Sequence, residues 1–260
     1  MKGSTFASRH PVSPLVLQVL GPVRAFRDGI ELDLGSPQQR TLLAVLLLNR
    51  GMVIPLHNLI DAIWEDRPPQ TATGTLRTYV SRLRTVLGRR EIESRAGGYA
   101  LRNGPGEFDL GTFQSLVEQA RAYRATRPDA VPALLQQALS LVRGEPLTGI
   151  QGAWAQARRT AINELRISAE IERITAELAC GRDEDLIADL SHMIAEHPLR
   201  ERPRELLMFA LQRSGRRAEA LETFHQTRRL LVDRLGIDPG PGLQRMYQQV
   251  LSSAPVLTVP

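Results

Sequence analysis

Residues 71–101 constrain the fold most, because a basic amphipathic stretch is followed at once by a basic hairpin pattern. Wound at about 100° per residue, TATGTLRTYVSRLRTVLG gathers its apolar residues within an arc of about 120°, the width of one buried stripe. Those apolar residues are Leu76, Tyr79, Val80, Leu83, Val86 and Leu87, and the remaining face carries Arg77, Thr78, Ser81, Arg82, Arg84 and Thr85. A solvated helix face usually mixes charges of both signs. This face has no carboxylate, so it favours a DNA groove, where arginine pairs with guanine edges or phosphates.

The charge distribution agrees with that interpretation. Residues 1–107 contain 14 basic and 9 acidic residues, whereas residues 108–260 contain 19 of each. Within residues 71–102 there are seven arginines against Glu91 and Glu93, so the whole net charge of +5 belongs to this helix and hairpin. A local basic excess is the electrostatic footprint expected for binding phosphates. Lys2 is the only lysine, so the summed charge is more informative here than any single arginine.

The pattern around this stretch predicts a small mixed module over residues 15–105. Short strands are indicated at 15–20, 23–26 and 30–34. A first helix begins after Ser36 with Pro37 in its first turn and runs to about residue 49, and its LLAVLLL core indicates burial. A second helix covers 56–64, and a third, capped by Thr71 or Thr73, ends at Gly88. Strands at 92–95 and 99–101 then form a tight hairpin. These are the parts of a winged helix-turn-helix.

Beyond a turn-rich linker at residues 103–106, the pattern is helical almost throughout. Helices are predicted at 110–126, 131–142, 154–179, 184–196, 202–214, 216–235 and 241–252. The stretch RPRELLMFALQRSGRRAEALETF has the spacing of a tetratricopeptide helix pair, with Gly215 at the turn and Phe224 filling the groove between helices. We therefore predict an all-α helical-repeat domain over residues 109–252, between an N-terminal arm at 1–14 and a tail at 253–260. The expected fold class is mainly α with a small β component.

The sequence carries no motif that indicates an enzyme. It contains no HExxH, no cysteine-rich metal spacing and no phosphate-cradling glycine loop, so we expect no catalytic residues, no cofactor and no metal. Cys180 is the only cysteine; it forms no intrachain disulfide, and we expect it to be a small buried residue. There is no signal-peptide pattern, and the longest apolar run is too short to span a bilayer. We expect a cytoplasmic, nucleoid-associated protein with no membrane partner.

The N-terminal module resembles the winged-helix DNA-binding domain of OmpR-type response regulators over about ninety residues, most specifically in TLRTYVSRLRTVLG and RAGGYAL. By that resemblance Thr78, Ser81 and Arg82 face bases, Thr75 and Arg84 contact phosphates, and Arg95 enters the minor groove. Tyr79 and Tyr99 are expected to serve as core and wing-anchor residues. The full set of expected DNA contacts is Arg40, Thr73, Thr75, Arg77, Thr78, Ser81, Arg82, Arg84, Thr85 and Arg95. With the winged helix first in the chain, we expect no receiver domain and no control by aspartyl phosphorylation.

The two modules together resemble the Streptomyces antibiotic regulatory proteins, from Leu15 to about Leu251. The strongest part is AEALETFHQTRRLLVDRLGIDPGPGLQRMYQQVL, which is similar to the end of their bacterial transcriptional activator domain. The resemblance implies a pathway-specific activator of antibiotic genes that binds tandem direct repeats near the −35 region as a dimer. It also implies that the protein recruits RNA polymerase holoenzyme through sigma and other subunits. No G-x-x-x-x-G-K-[ST] motif is present, so the chain is similar to the small members. A protein-binding adaptor or a repressor built from the same modules remains an alternative.

Overall fold

The computed structural model describes residues 14–102, 107–181 and 183–252, with only the backbone of residues 183–185. The expected linker at 103–106, the expected tail at 253–260 and all but Pro14 of the expected arm lie outside these residues. The chain divides into two compact units. The first comprises Met1–Ser115 and Ser140–Leu165, and the second comprises Leu116–Leu139 and Arg166–Pro260.

The first unit begins with a small sheet. Strands β1 (Val16–Gln18), β2 (Arg24–Arg27) and β3 (Ile30–Glu31) pair antiparallel in sequence order, with the Asp28–Gly29 turn between β2 and β3 at positive φ. Strands β1 and β3 are shorter than the sequence pattern predicts, whereas β2 has the predicted length and begins one residue later. A fourth strand, β7 (Glu107–Phe108), pairs parallel to β1, which gives the order β3-β2-β1-β7. The sequence pattern did not indicate β7.

Three helices follow the first strands, as predicted. They are α1 (Pro37–Leu48), α2 (Leu56–Trp64) and α3 (Ala72–Leu87). The start of α1 is a capping box, in which the Ser36 hydroxyl accepts from the Gln39 amide and the Gln39 side chain accepts from the Ser36 amide. Helix α1 is buried on nearly all sides, which confirms the interpretation of its leucine-rich core. Thr71 stands at the N-cap of α3, but its side chain makes no capping hydrogen bond.

A three-stranded sheet completes the winged helix. Strand β4 (Ile54–Pro55) pairs with β6 (Gly98–Leu101), and β6 pairs with β5 (Ile92–Arg95), so β5 is an edge strand. A Cβ atom at Gly98 would collide with the Ile54 carbonyl, so the close pairing of β6 with β4 requires glycine there. The β5–β6 hairpin forms the predicted wing, and Leu56 N donates to Gly97 O at 3.1 Å, tying the wing turn to α2.

Residues beyond the predicted linker also pack into the first unit. Asp109 begins α4 (Asp109–Tyr123), and its buried carboxylate accepts hydrogen bonds from the Val19 and Leu20 amides at 3.0 Å and from Arg143 Nη2 at 2.5 Å. The Arg143 and Leu147 amides donate in turn to the Leu20 and Val19 carbonyls. Packing therefore joins residues 107–115 and 140–165 to the winged helix, which the turn-rich composition of residues 103–106 did not indicate.

The remaining helices lie close to their predicted bounds. They are α5 (Val131–Ser140, after a 3-10 turn at Pro128–Ala130), α6 (Ala153–Ala179), α7 (Asp183–Glu196), α8 (Glu201–Arg213), α9 (Arg217–Leu235) and α10 (Pro241–Ser252). Between α8 and α9, Gly215 adopts φ 75°, and Ala210 and Ala220 are fully buried. Phe224 stacks on Tyr247 of α10 with 4.1 Å between ring centroids. The Gly215 turn and the buried alanines agree with the close crossing of α8 and α9 that the tetratricopeptide spacing predicts, and Phe224 contacts α10 as well.

Two further observations bear on the sequence predictions. Cys180 is exposed, so the expectation of a buried cysteine was wrong: the residue follows the last turn of α6 and leaves the buried stripe. Within the part of the chain that the structure describes, no helix has the length and apolar composition needed to cross a membrane.

Candidate nucleic-acid interface

The candidate interface centres on α3, whose two faces are those that the periodicity predicts. Leu76, Val80, Leu83 and Leu87 are at most 1% exposed and anchor the helix in the core. Tyr79 is half-buried against Trp64, with ring centroids 6.1 Å apart, so its ring packs inside the unit. The residues that face solvent are Thr73, Arg77, Thr78, Ser81, Arg82 and Thr85. The unit therefore presents one continuous polar helix face built of arginine and hydroxyl side chains.

Two threonines of this face donate to the helix backbone. Thr78 Oγ1 donates to the Gly74 carbonyl at 3.2 Å, and Thr85 Oγ1 donates to the Ser81 carbonyl at 3.1 Å. Thr75 lies half-buried in the first turn, with its hydroxyl 3.5 Å from that of Thr71. A hydroxyl that donates to its own helix keeps acceptor lone pairs. Thr78 and Thr85 can therefore accept hydrogen bonds from donors such as the amino groups of adenine and cytosine.

Arg77 and Arg82 supply the free positive charge of this face. Both are exposed, and among the described residues neither forms an ion pair with a carboxylate. An exposed guanidinium keeps its five donors in a rigid fork, which matches the paired acceptors of guanine or the oxygens of a phosphate. The structure thus leaves these two arginines available to a ligand of opposite charge.

Arg84 has a different environment from Arg77 and Arg82. It is half-buried, its Nε donates to the Ile92 carbonyl at 2.8 Å, and its Nη2 donates to Ser94 Oγ at 2.9 Å. The guanidinium carbon also lies 5.8 Å from the centre of the Tyr99 ring. Arg84 therefore joins α3 to both strands of the wing. Its predicted phosphate contact stays a prediction.

The wing carries the last predicted residue near its turn. The Arg95 side chain is 60% exposed and forms an ion pair with Glu93 on the same strand, ahead of a turn in which Gly97 has φ 79°. Tyr99 is 9% exposed, in agreement with a role as wing anchor. Arg40, by contrast, lies exposed on α1, where it lines a hollow of about 250 Å³ with Glu31 and Asp33. The structure places Arg40 on a different helix from the other predicted contacts.

The sequence did not reveal two contacts that hold this interface in place. Arg27 of β2 donates through Nη2 to the Leu87 carbonyl at 2.7 Å, so an arginine from the first sheet caps the end of α3. Glu65 follows α2 with φ 53°, and its carboxylate accepts from the Ala153 amide at the start of α6. Each contact joins residues that are 60 or more positions apart, and no local sequence pattern predicts such pairs.

The fold and the polar face of α3 together define a winged-helix protein that carries further helices beyond its wing. The bacterial transcriptional activator domain family matches residues 108–251, and the family of C-terminal domains of transcriptional regulatory proteins matches residues 30–101. The chain belongs to the Streptomyces antibiotic regulatory protein family. Both matched families are families of transcription regulators.

Individual relatives agree with this assignment. The regulatory protein AfsR of Streptomyces coelicolor is 48% identical over 242 residues, which is 92% of this chain and 24% of AfsR. The transcriptional regulator RedD of the same organism is 34% identical over 253 residues, 94% of this chain and 72% of RedD. The structure of Mycobacterium tuberculosis EmbR in complex with a low-affinity phosphopeptide superimposes with a TM-score of 0.89 at 33% identity, covering 93% of this chain and 66% of that chain. This chain thus spans about a quarter of AfsR and about two thirds of EmbR.

Proposed function

We propose that this protein is a sequence-specific DNA-binding activator of transcription in the bacterial cytoplasm. Helix α3 enters the major groove with Thr78, Ser81 and Arg82 toward the bases, and the wing places Arg95 in the neighbouring minor groove. The remaining predicted contacts reach the sugar-phosphate backbone or the groove edge: Arg40, Thr73, Thr75, Arg77, Arg84 and Thr85. The observation that supports this most is the α3 face, which is exposed, positively charged and free of carboxylates.

The size of that surface suggests how the protein gains specificity. One winged helix contacts few base pairs, so a single copy binds DNA weakly and mostly through phosphates. Two copies on tandem direct repeats gain roughly 10²–10⁴ in avidity, because the second contact becomes intramolecular. Residues 108–260 carry no net charge, which suits protein contacts better than DNA contacts. We propose that the helical part supports this dimer on DNA and recruits RNA polymerase holoenzyme.

The names of the relatives suggest the class of target genes. AfsR and RedD of Streptomyces are described as regulators, and this chain belongs to their family. We propose that the protein controls genes of a secondary-metabolite pathway, with its sites near the −35 region of their promoters. Genome-wide footprinting in the native host tests this directly, since it yields the site, the repeat spacing and the regulated genes together.

Band-shift titration of the full chain on such a promoter tests the DNA-binding step. Arg82→Ala should weaken the free energy of binding to the cognate site by about 1–3 kcal/mol. It should also reduce the preference of the protein for one particular base pair within that site. The matched control is Arg234→Ala, which removes another exposed positive charge, from α9, and should leave Kd within about twofold. An equal loss for Arg82→Ala on cognate and scrambled DNA would contradict base reading. A protein-binding adaptor would show no salt-dependent DNA binding at all.

Repeat spacing and in vitro transcription test the tandem arrangement and activation. Two copies on one face of the duplex need centres about one helical turn, 10–10.5 bp, apart. Inserting 5 bp between the repeats should abolish tight binding, whereas inserting a full turn should restore part of it. With purified polymerase, an activator raises transcript yield from the intact promoter. A repressor would bind the same promoter and lower the yield.

A further inference from the structure

Arg84 connects the two elements that we propose contact DNA, helix α3 and the wing. The side chain leaves α3, donates to the backbone of β5 at Ile92, donates to the Ser94 hydroxyl, and lies over the Tyr99 ring of β6. Ser94 and Tyr99 are opposite each other in the β5–β6 ladder. One guanidinium from the last turn of α3 therefore contacts two strands of the wing.

The wing has an open acceptor at the place where Arg84 meets it. Strand β5 is the edge of its sheet, and the Arg102 amide donates to the Glu91 carbonyl across the hairpin. Because hydrogen-bonded pairs alternate in an antiparallel ladder, the Ile92 carbonyl points away from β6. Arg84 Nε donates a hydrogen bond to that carbonyl. The edge of the wing is thereby closed by a side chain of α3.

Arg95 lies next to this attachment. It follows Ser94 directly on β5, so the position of Ser94 relative to α3 sets where the Arg95 side chain begins. We propose that Arg84 is a positioning residue that fixes the wing against α3. Base reading by α3 and groove entry by Arg95 then depend on each other. The inference rests on the proposed DNA-binding function and adds to it a coupling between its two elements.

A lysine at position 84 can distinguish a residue that positions the wing from one that only attracts phosphate. Lysine preserves the positive charge of arginine, but one ammonium group cannot reproduce a planar fork that donates to two acceptors in fixed directions. A residue that only attracts phosphate should tolerate Arg84→Lys, because the charge and the salt dependence of binding are kept. A residue that positions the wing should not tolerate Arg84→Lys, because the lysine cannot make both hydrogen bonds to β5.

The test is a double-mutant cycle on the full chain, measured as Kd on a site with A·T-rich flanks. Arg84→Lys alone should weaken binding about tenfold with an unchanged salt slope. Arg95→Ala should weaken binding about tenfold in the wild-type background. In the Arg84→Lys background it should weaken binding less than about threefold, because a displaced wing no longer brings Arg95 to the DNA. Arg90→Lys, an exposed arginine in the turn after α3, is the charge-conserving control and should leave Kd within about twofold.

The inference would be overturned if the double variant lost affinity by the product of the two single-variant factors. It would also be overturned if Arg84→Lys bound DNA as tightly as the wild type. If Arg84→Lys fails to fold, Ser94→Ala removes one of the two hydrogen bonds and carries the same cycle with Arg95→Ala, with coupling expected in the same direction. Arg82→Ala, run in parallel, distinguishes the two failures. If Arg82→Ala lowers affinity while Arg84 and Arg95 act independently, only the coupling is wrong. If Arg82→Ala has no effect on DNA binding, the proposed function itself fails.

Discussion

Replacing Asp109 with alanine should destabilise the winged-helix unit, although residue 109 lies beyond the last strand of the wing. The carboxylate is the acceptor for three backbone amides, Val19, Leu20 and Leu110, and for Arg143 Nη2. Its side chain is 5% exposed. Burial raises the pKa of Asp109, and the hydrogen bonds and the Arg143 charge offset part of that shift. Truncation at Cβ leaves the buried amides without their acceptor.

The expected loss follows from those groups. A buried donor left unsatisfied costs about 1–3 kcal/mol. Leu110 lies in the first turn of α4, where a free amide is ordinary, and Arg143 is 36% exposed and can be rehydrated. The Val19 and Leu20 amides therefore account for most of the loss, which we place at about 3–5 kcal/mol, as for breaking a buried ion pair. Asp109→Asn should be less damaging, because its side-chain oxygen can still accept from the Val19 and Leu20 amides while its NH2 group faces the Leu110 amide.

Urea denaturation followed by tryptophan fluorescence measures this loss in the right unit. The two tryptophans, Trp64 and Trp154, both belong to the first compact unit. Glu107→Ala is the matched control, since it removes an exposed carboxylate two residues away and should change stability by less than about 0.5 kcal/mol. A loss below about 1 kcal/mol for Asp109→Ala would show that water replaces the carboxylate and would refute the reasoning.

Three further changes test other parts of the structure. Arg95→Ala should reduce the preference for A·T pairs beside the major-groove contacts, because a narrow minor groove attracts arginine; equal binding of wild type and variant on A·T and G·C flanks would exclude groove entry. Ser36→Ala should cost about 1 kcal/mol by removing the capping box of α1, read from the urea midpoint, and an unchanged midpoint would contradict it. Burial alone would raise the pKa of Glu172, but Arg121 and Arg124 outweigh burial and hold it below the usual range. Its stabilising contribution should therefore be complete above the ordinary glutamate pKa of about 4.3 and be lost as pH falls through the lowered value. Glu172→Gln should flatten that part of the stability profile measured by circular dichroism, and parallel profiles would argue against it.

The sequence by itself determined the helices and the face that α3 presents. The periodicity of residues 71–88 predicts the helix found at Ala72–Leu87, with Leu76, Val80, Leu83 and Leu87 buried and with Arg77 and Arg82 exposed. Helix α2 and the wing were predicted equally closely, from Pro and Gly at their ends. These features follow from interactions between residues three or four positions apart in a helix, or across a tight turn, so a short window of sequence contains them.

The tertiary structure alone decided which charged groups are free and which are bound inside the fold. Arg82 and Arg84 are two positions apart and have the same chemistry, yet the edge of β5 engages only Arg84. Strands of two residues such as β4 and β7 show no periodicity and exist because a partner strand lies beside them. In the sequence, Asp109 is only the first residue of the predicted helical domain, and the Val19 and Leu20 amides, about 90 positions earlier, make it a buried acceptor. Such contacts depend on how distant segments pack, and a local pattern holds no information about them.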